Sequence, residues 1–195
     1  FPPNLPVDKN ITALAHDFRY PLKYGYTSIG RVVATGPAVS DCWLDQMVFC
    51  FNPHESHYVT HQDQLIPVPG DIDPADAVFL PNMESAVNFL MDGRPIIGEA
   101  VVVFGQGVVG LLTAAQLATL PLSCLVTIDK WPLRRKKSQD AGAHFTWDPA
   151  APDLQDKIAA LCESRSGNKN ADLIYELSGN PEALNQAVDI AGFGS

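Results

Sequence analysis

Residues 101–110 read VVVFGQGVVG, an apolar run that meets three glycines and at once turns apolar again. No polar residue interrupts Val101–Phe104, the pattern of a strand buried on both faces. Gly105, Gln106, Gly107, Val108, Val109 and Gly110 fit G-x-G-x-x-G, and the stretch from Val108 stays free of polar side chains until Thr113, as a buried helix would. In a strand–turn–helix unit each glycine has its own task. Gly105 makes the tight turn, Gly107 lets the backbone approach a pyrophosphate, and Gly110 lets the helix pack closely on the strand. Free N–H groups at the helix start then face the phosphates. The spacing predicts a dinucleotide site.

Outward from the turn, strands and helices alternate. Strands are expected over 100–104, 125–129, 144–146 and 172–177, and helices over 108–118, 133–141, 153–162 and 181–190. Alternation of this kind implies a parallel sheet covered on both faces. The second strand ends at Asp129, where a carboxylate can accept hydrogen bonds from ribose hydroxyls and repel a 2′-phosphate; this favours NAD. Lys130, Arg134 and Arg135 follow, and the sequence leaves two roles open for them: a grip on the 2′-phosphate of NADP, or a solvated helix face. Ser178 and Gly179 end the strand at 172–177, where they border the nicotinamide half of such a ligand or simply form a turn capped by Asn180.

Before Gly93 the character differs. Most of the prolines lie here, with short runs typical of strands at 31–34, 47–51, 57–60 and 65–68. Asp73 before Pro74 is a helix start, and a further helix is expected over 84–91. The 195 residues carry 22 acidic against 13 basic side chains, a formal net charge of −9, so neither nucleic acid nor an anionic membrane is an expected partner. The scattered Cys42, Cys50, Cys124 and Cys162 suit a reduced, cytoplasmic setting, and no signal-peptide pattern is present.

The order of these features resembles the medium-chain dehydrogenase/reductases, the alcohol dehydrogenase and quinone oxidoreductase relatives. Residues 24–36, YGYTSIGRVVATG, resemble that family's G-H-E-x-x-G-x-V-x-x-x-G stretch. LDQMVF at 44–49 stands where G-D-R-V-F is usual, HYV at 57–59 where A-E-Y is, and LIPVP at 65–69 where L-x-P-x-P is. The glycine turn, Asp129 and ELSG at 176–179 complete the series. The resemblance implies an α/β chain: a partial GroES-like β domain over 1–93, then a partial Rossmann doubly wound parallel sheet over 94–195, cut from a longer protein at both ends. It also implies a small-molecule substrate bound between the two domains, and pairing into a homodimer or homotetramer.

Zinc members of the family use the His of G-H-E and a later Cys or Glu as ligands. Here Tyr26, Thr27 and Pro81 stand at the His, Glu and third-ligand positions, and phenol and proline are poor substitutes around zinc. No catalytic zinc is expected in the usual place, and no metal site is assigned. His54, Glu55 and His57, with His61 and Cys50 nearby, leave two readings open: another metal site, or surface or cleft histidines. LPNMESA at 80–86 resembles instead the L-P-x-x-x-T-A segment of the zinc-free branch, in which Ser85 would border the nicotinamide. Tyr26 is then the first candidate proton donor, with a tyrosine packed in a barrel turn as its structural alternative; His54 and His57 come next. The expected function is an NAD(P)-dependent oxidoreductase passing hydride between nicotinamide and a carbonyl, alcohol or enone. The alternative is a non-catalytic NAD(H)-binding sensor or assembly module on the same fold.

Overall fold

The computed structural model describes residues 23–192. Its contacts divide the chain between Val78 and Phe79. In the first unit, β1 (Ser28–Arg31), β2 (Met47–Cys50) and β3 (Ile66–Pro67) form an antiparallel sheet in that order, followed by the short helix α1 (Pro74–Ala77). Asp73 caps α1 by accepting the N–H of Ala75 at 2.7 Å, as the sequence predicts.

Two strand expectations in this unit are corrected. The first strand lies at Ser28–Arg31 rather than 31–34, because its ladder with β2 ends at Arg31 opposite Met47. Beyond that pair the partner chain turns through Asp45, whose φ of 62° is left-handed, and the pleat cannot continue. The run at 57–60 forms no strand. Side chains fix that segment instead: Tyr58 Oη donates to Ser28 Oγ at 3.2 Å, and Lys23 meets Glu55 at 2.6 Å. Pro53, at the entry to this stretch, has no N–H to give a ladder.

The second unit opens with α2 (Leu80–Gly93), which is longer at both ends than the helix expected over 84–91. It packs on α3 (Val108–Leu117), and Gln116 Nε2 donates to Met83 Sδ between them. This helix therefore goes with the second unit, whereas the sequence places the change of domain after Gly93. Then come β4 (Ala100–Phe104), α3, β5 (Cys124–Ile128), α4 (Pro132–Asp140), β6 (Phe145–Trp147), α5 (Leu154–Ser166), β7 (Leu173–Glu176) and α6 (Pro181–Asp189). The four strands are parallel in the order β6-β5-β4-β7, so the chain starts at the middle of the sheet and winds both ways.

Every residue of β4 and β5 is buried. Alternate residues serve opposite faces, which explains the apolar runs; Thr127, the one polar residue in them, accepts a hydrogen bond from Ser138. Ala100, Val102 and Phe104 pack toward Leu154 and Ile158 of α5 and Ala183 and Ala187 of α6. Val101 and Val103 pack with Leu117 of α3, with Phe89 and Leu90 of α2 against them. Each such aliphatic side chain contributes about 1.5–3 kcal/mol on burial, which makes this double layer the main support of the unit. At the outer edge, the N–H of Ala171 donates to the carbonyl of Ile190 at 3.0 Å, and Ala171 and Ala191 form a parallel bridge. Among the described residues no helix is long and apolar enough to cross a membrane.

Candidate functional site

The glycine turn joins β4 to α3 and is held from three sides. Gly105 has a φ of +82°, and a Cβ there would stand 2.5 Å from the backbone nitrogen of Ser178, so only glycine fits between the two strand ends. Leu177 N–H donates to the Phe104 carbonyl at 2.9 Å, which brings Ser178 and Gly179 beside the turn. Gly110 lies so close beneath that a Cβ would overlap the Gly105 carbonyl oxygen. Gly107 differs: it caps α3 with an ordinary φ of −71°, and a Cβ there would meet nothing within 4 Å. The requirement at Gly107 is open space on the side facing away from the protein.

No side chain caps α3 and no acid sits in its first turn. Val108 and Val109 begin the helix, so their N–H groups have no intrahelical acceptor and carry the positive end of the helix dipole. An open glycine beside uncapped N–H groups is the arrangement that fits a dinucleotide pyrophosphate.

Gln106 is turned inward. It is fully buried, and its Nε2 donates to the carbonyls of Gly105 at 3.0 Å and Val103 at 3.4 Å. Its own N–H donates to Asp129 Oδ2 at 2.7 Å. Gln106 thus shapes the turn from within.

Asp129 follows β5 and is only 6% exposed. Besides the bond from Gln106, its Oδ1 accepts the N–H of Trp131 at 2.7 Å, and Arg134 Nη1 lies 3.7 Å from Oδ2. Both oxygens keep a second lone pair for ribose hydroxyls, but the carboxylate is already a staple between two loops. Arg135 donates to the Asp129 carbonyl at 2.7 Å and to Asp148 at 2.9 Å, a bridge no sequence spacing announces. Lys130 is exposed, with its ammonium 5.3 Å from the ring centre of Trp131.

Elsewhere in this unit Ser85 Oγ donates to the carbonyl of Pro81 one turn back in α2, at 3.0 Å. Ser178 hydrogen-bonds Glu176 through both its N–H and its hydroxyl, and Gly179 has a φ of +68°. Asn180 caps α6, accepting from Glu182 N–H at 3.1 Å. The turn reading and the ligand-border reading of 178–179 are therefore compatible.

The candidate catalytic residues lie in the first unit. Tyr26 is 57% exposed. His54 donates its N–H to the Tyr24 carbonyl at 2.8 Å, and its ring meets that of Tyr24 edge-on at 6.4 Å. Gly25 has a φ of +93° and presses on the His54 ring, leaving no room for a Cβ. Tyr24 and Gly25 are the partners of His54 that sequence reading missed. The ammonium of Lys23 and the amide of Asn52 hold the Glu55 carboxyl below its usual range. His57 is exposed, and no contact ties it to Tyr26 or His54 among the described residues. His61 pairs with Asp63 at 3.1 Å. Among the described residues no three His, Cys, Asp or Glu side chains gather in a way that could hold a metal.

No family model matches the chain. It is 28% identical over 126 residues to the L-threonine 3-dehydrogenase of Bacillus velezensis, a match covering 65% of this chain and 35% of that one. Among solved structures, an alcohol dehydrogenase of Escherichia coli with NADH superposes with a TM-score of 0.67 at 17% identity, over 84% of this chain and 56% of the other. A dehydrogenase of Sinorhizobium meliloti bound to NADP gives 0.71 at 21% identity, over 86% and 57%. The chain is similar in sequence to these dehydrogenases and shares the fold of the alcohol dehydrogenase structures. The two-unit architecture, with an antiparallel sheet followed by a doubly wound parallel one, is the GroES-like plus Rossmann arrangement of that family. This chain spans about a third of the length of the threonine dehydrogenase relative and a little over half of each solved homologue.

Proposed function

We propose that the chain holds NAD or NADP on the glycine turn and is the core of an oxidoreductase acting on a carbonyl, alcohol or enone. The observation that carries this reading is the turn itself: Gly105 locked against Ser178, Gly110 against Gly105, and Gly107 open beside the uncapped start of α3. Val108 and Val109 N–H groups would take the pyrophosphate, the remaining lone pairs of Asp129 a ribose hydroxyl, and Ser178, Gly179 and Ser85 would border the nicotinamide. When bound, the nicotinamide supplies or accepts the hydride. NADH- and NADP-bound homologues share the fold, which supports a nicotinamide cofactor.

The proton is assigned to Tyr26, whose exposed phenol can donate to a developing alkoxide or enolate; His54 and His57 are the other candidates. Tyr26 and Pro81, at two of the family's zinc positions, do not fit that metal, and no step is derived through it. All four cysteines are free thiols, which accords with a cytoplasmic protein. A homodimer or homotetramer is the expected assembly, to be read from its mass in solution.

Titration of the full chain with NADH, followed by protein-to-nicotinamide fluorescence transfer, tests the cofactor site. Turnover over a panel of aldehydes, enones and alcohols tests the chemistry. Activity that survives Tyr26→Phe undiminished removes that residue as donor, and binding without turnover of any panel member leaves a nucleotide-binding module.

A further inference from the structure

We infer that Cys124 and Cys162 form an oxidisable dithiol: a hydroperoxide converts them to a disulfide that ties β5 to α5, and a small thiol restores them. The two side chains come from elements far apart in sequence and belong to one buried cluster with Ala100 and Ala171. Both are 0% exposed, and their thiols hydrogen-bond each other. Thiols in such contact need only a side-chain rotation to reach the bond length of about 2.05 Å that a disulfide requires. They are the only cysteines of the second unit, since Cys42 and Cys50 belong to the first.

The surroundings give the two sulfurs different tasks. The Cys162 thiol donates to Cys124, and against the effect of burial the adjacent Ser123 hydroxyl and the Arg165 guanidinium also favour the thiolate, which holds Cys124 down to about 7. Asp172 acts against this, but its carboxylate already accepts the N–H of Ala100 at 2.8 Å and the amide of Asn168 at 2.9 Å. The same thiol–thiol bond, with burial, pushes Cys162 upward, so it keeps its proton. Cys124 is therefore the nucleophile and Cys162 the resolving thiol. With hydrogen peroxide, the Cys124 thiolate attacks one oxygen and the O–O bond breaks. The hydroxide released takes up the proton the thiol had given, and leaves as water. The Cys162 sulfur then attacks the sulfenic acid on Cys124, and the sulfenic oxygen departs with the Cys162 proton as a second water. Each sulfur gives one electron and the peroxide takes two.

A peroxide meets these buried thiols only when the fold opens locally. Cys124 is the first residue of β5, and Cys162 lies one turn before the end of α5, which is followed by four exposed residues, 167–170. Both sit at the end of the parallel sheet opposite the glycine turn. Fraying of the last turn of α5 is the entry path.

The test uses the full chain carrying Cys42→Ala, so that the exposed thiol does not cross-link molecules. Hydrogen peroxide is added, remaining thiols are alkylated in denaturant, and the peptides are mapped by mass. The expected result is a cross-linked peptide pair holding Cys124 and Cys162, lighter by two hydrogens than the reduced pair and lost on treatment with dithiothreitol. The closed loop is expected to raise the melting temperature of the oxidised protein by roughly 5–15 °C. In Cys162→Ser the resolving sulfur is gone, and Cys124 is expected to accumulate as sulfenic acid that dimedone labels. Mapping of the unsubstituted chain gives the same answer without any variant. Oxidised protein in which Cys124 and Cys162 both still alkylate, or carry only sulfinic or sulfonic acid, overturns the inference. So does a cross-link that fails to raise the melting temperature.

Discussion

The carboxylate of Asp129 accepts the main-chain N–H of Gln106 at 2.7 Å, which ties the end of β5 directly to the turn that closes β4. With the second bond to Trp131, one side chain fixes both loops at this end of the sheet. A carboxylate that is 6% exposed is tolerated because each oxygen has a donor and Arg134 lies nearby. The acid that sequence reading offers as a ribose contact is thus first of all the clasp that gives the turn its shape.

Asp129→Ala is expected to lose stability as well as nucleotide. It leaves the N–H groups of Gln106 and Trp131 without acceptors, at a cost of roughly 2–4 kcal/mol. Asp129→Asn keeps one acceptor and is expected to cost about half as much. Urea unfolding gives the stabilities, and NADH titration of the folded variants shows whether binding falls in the same order.

Gly107 and Gly110 are expected to fail in opposite ways. Gly110→Ala forces a methyl into the Gly105 carbonyl and is expected to cost roughly 3 kcal/mol or more, or to prevent folding. Gly107→Ala has an allowed φ of −71° and no neighbour within 4 Å of the new methyl. It is expected to fold within about 1 kcal/mol of wild type and yet lose nucleotide affinity by about tenfold or more, because the methyl occupies the face a pyrophosphate approaches. Thermal melts and NADH titration of the pair separate the two outcomes. Equal binding by Gly107→Ala and wild type would remove the phosphate from this turn.

Tyr175 gives a pH dependence. Its hydroxyl is buried against Gly93 with no hydrogen-bond partner among the described residues, and burial, with Glu99 and Asp92 nearby, pushes its pKa up to about 12. The folded state therefore favours the protonated phenol. That contribution is complete below the unfolded value near 10 and is lost as pH rises toward the folded value near 12. Tyr175→Phe is expected to be at least as stable at neutral pH, since it removes an unpaired polar group, and to lose less stability between about pH 10 and 12. Denaturation midpoints at neutral and alkaline pH check both parts.

Arg94→Gly is expected to stabilise the second unit. Arg94 ends α2 with φ 47° and ψ 53°, a left-handed cap in which its N–H donates to Leu90 at 2.8 Å. A side chain in that region costs about 1 kcal/mol that glycine does not incur. Asp45, with φ 62°, is the corresponding position in the first unit. A rise in melting temperature of a few degrees for Arg94→Gly checks the expectation.

The second half of the chain is far more legible in sequence than the first. Val101–Phe104 is apolar throughout and Cys124–Ile128 is broken only by Thr127 because both faces are covered, and Gly105 and Gly110 between strand and helix leave no room for a side chain. Local rules of that kind hold wherever the sheet is central. In the first half the strands are four residues or fewer, and side-chain anchors such as Tyr58 to Ser28 replace ladder bonds at 57–60. Those anchors join residues far apart in the chain, so no periodicity reports them. The site shows the same contrast. The tight turn at Gly105 and the close packing at Gly110 are readable from spacing, whereas the commitment of Asp129 to Gln106 and Trp131, and of Arg135 to Asp148, depends on loops meeting in space.

The return of the chain to the outer side of β7 has a consequence for solubility. A sheet margin with bare N–H and C=O groups recruits strands from other molecules. Here Ala171 gives its N–H to Ile190 and its carbonyl accepts from Gly192 at 2.9 Å, so the entry to that margin is occupied by the chain's own backbone. A stranger approaching there would have to displace a segment already in parallel register, which makes this corner self-guarding against chain-to-chain stacking.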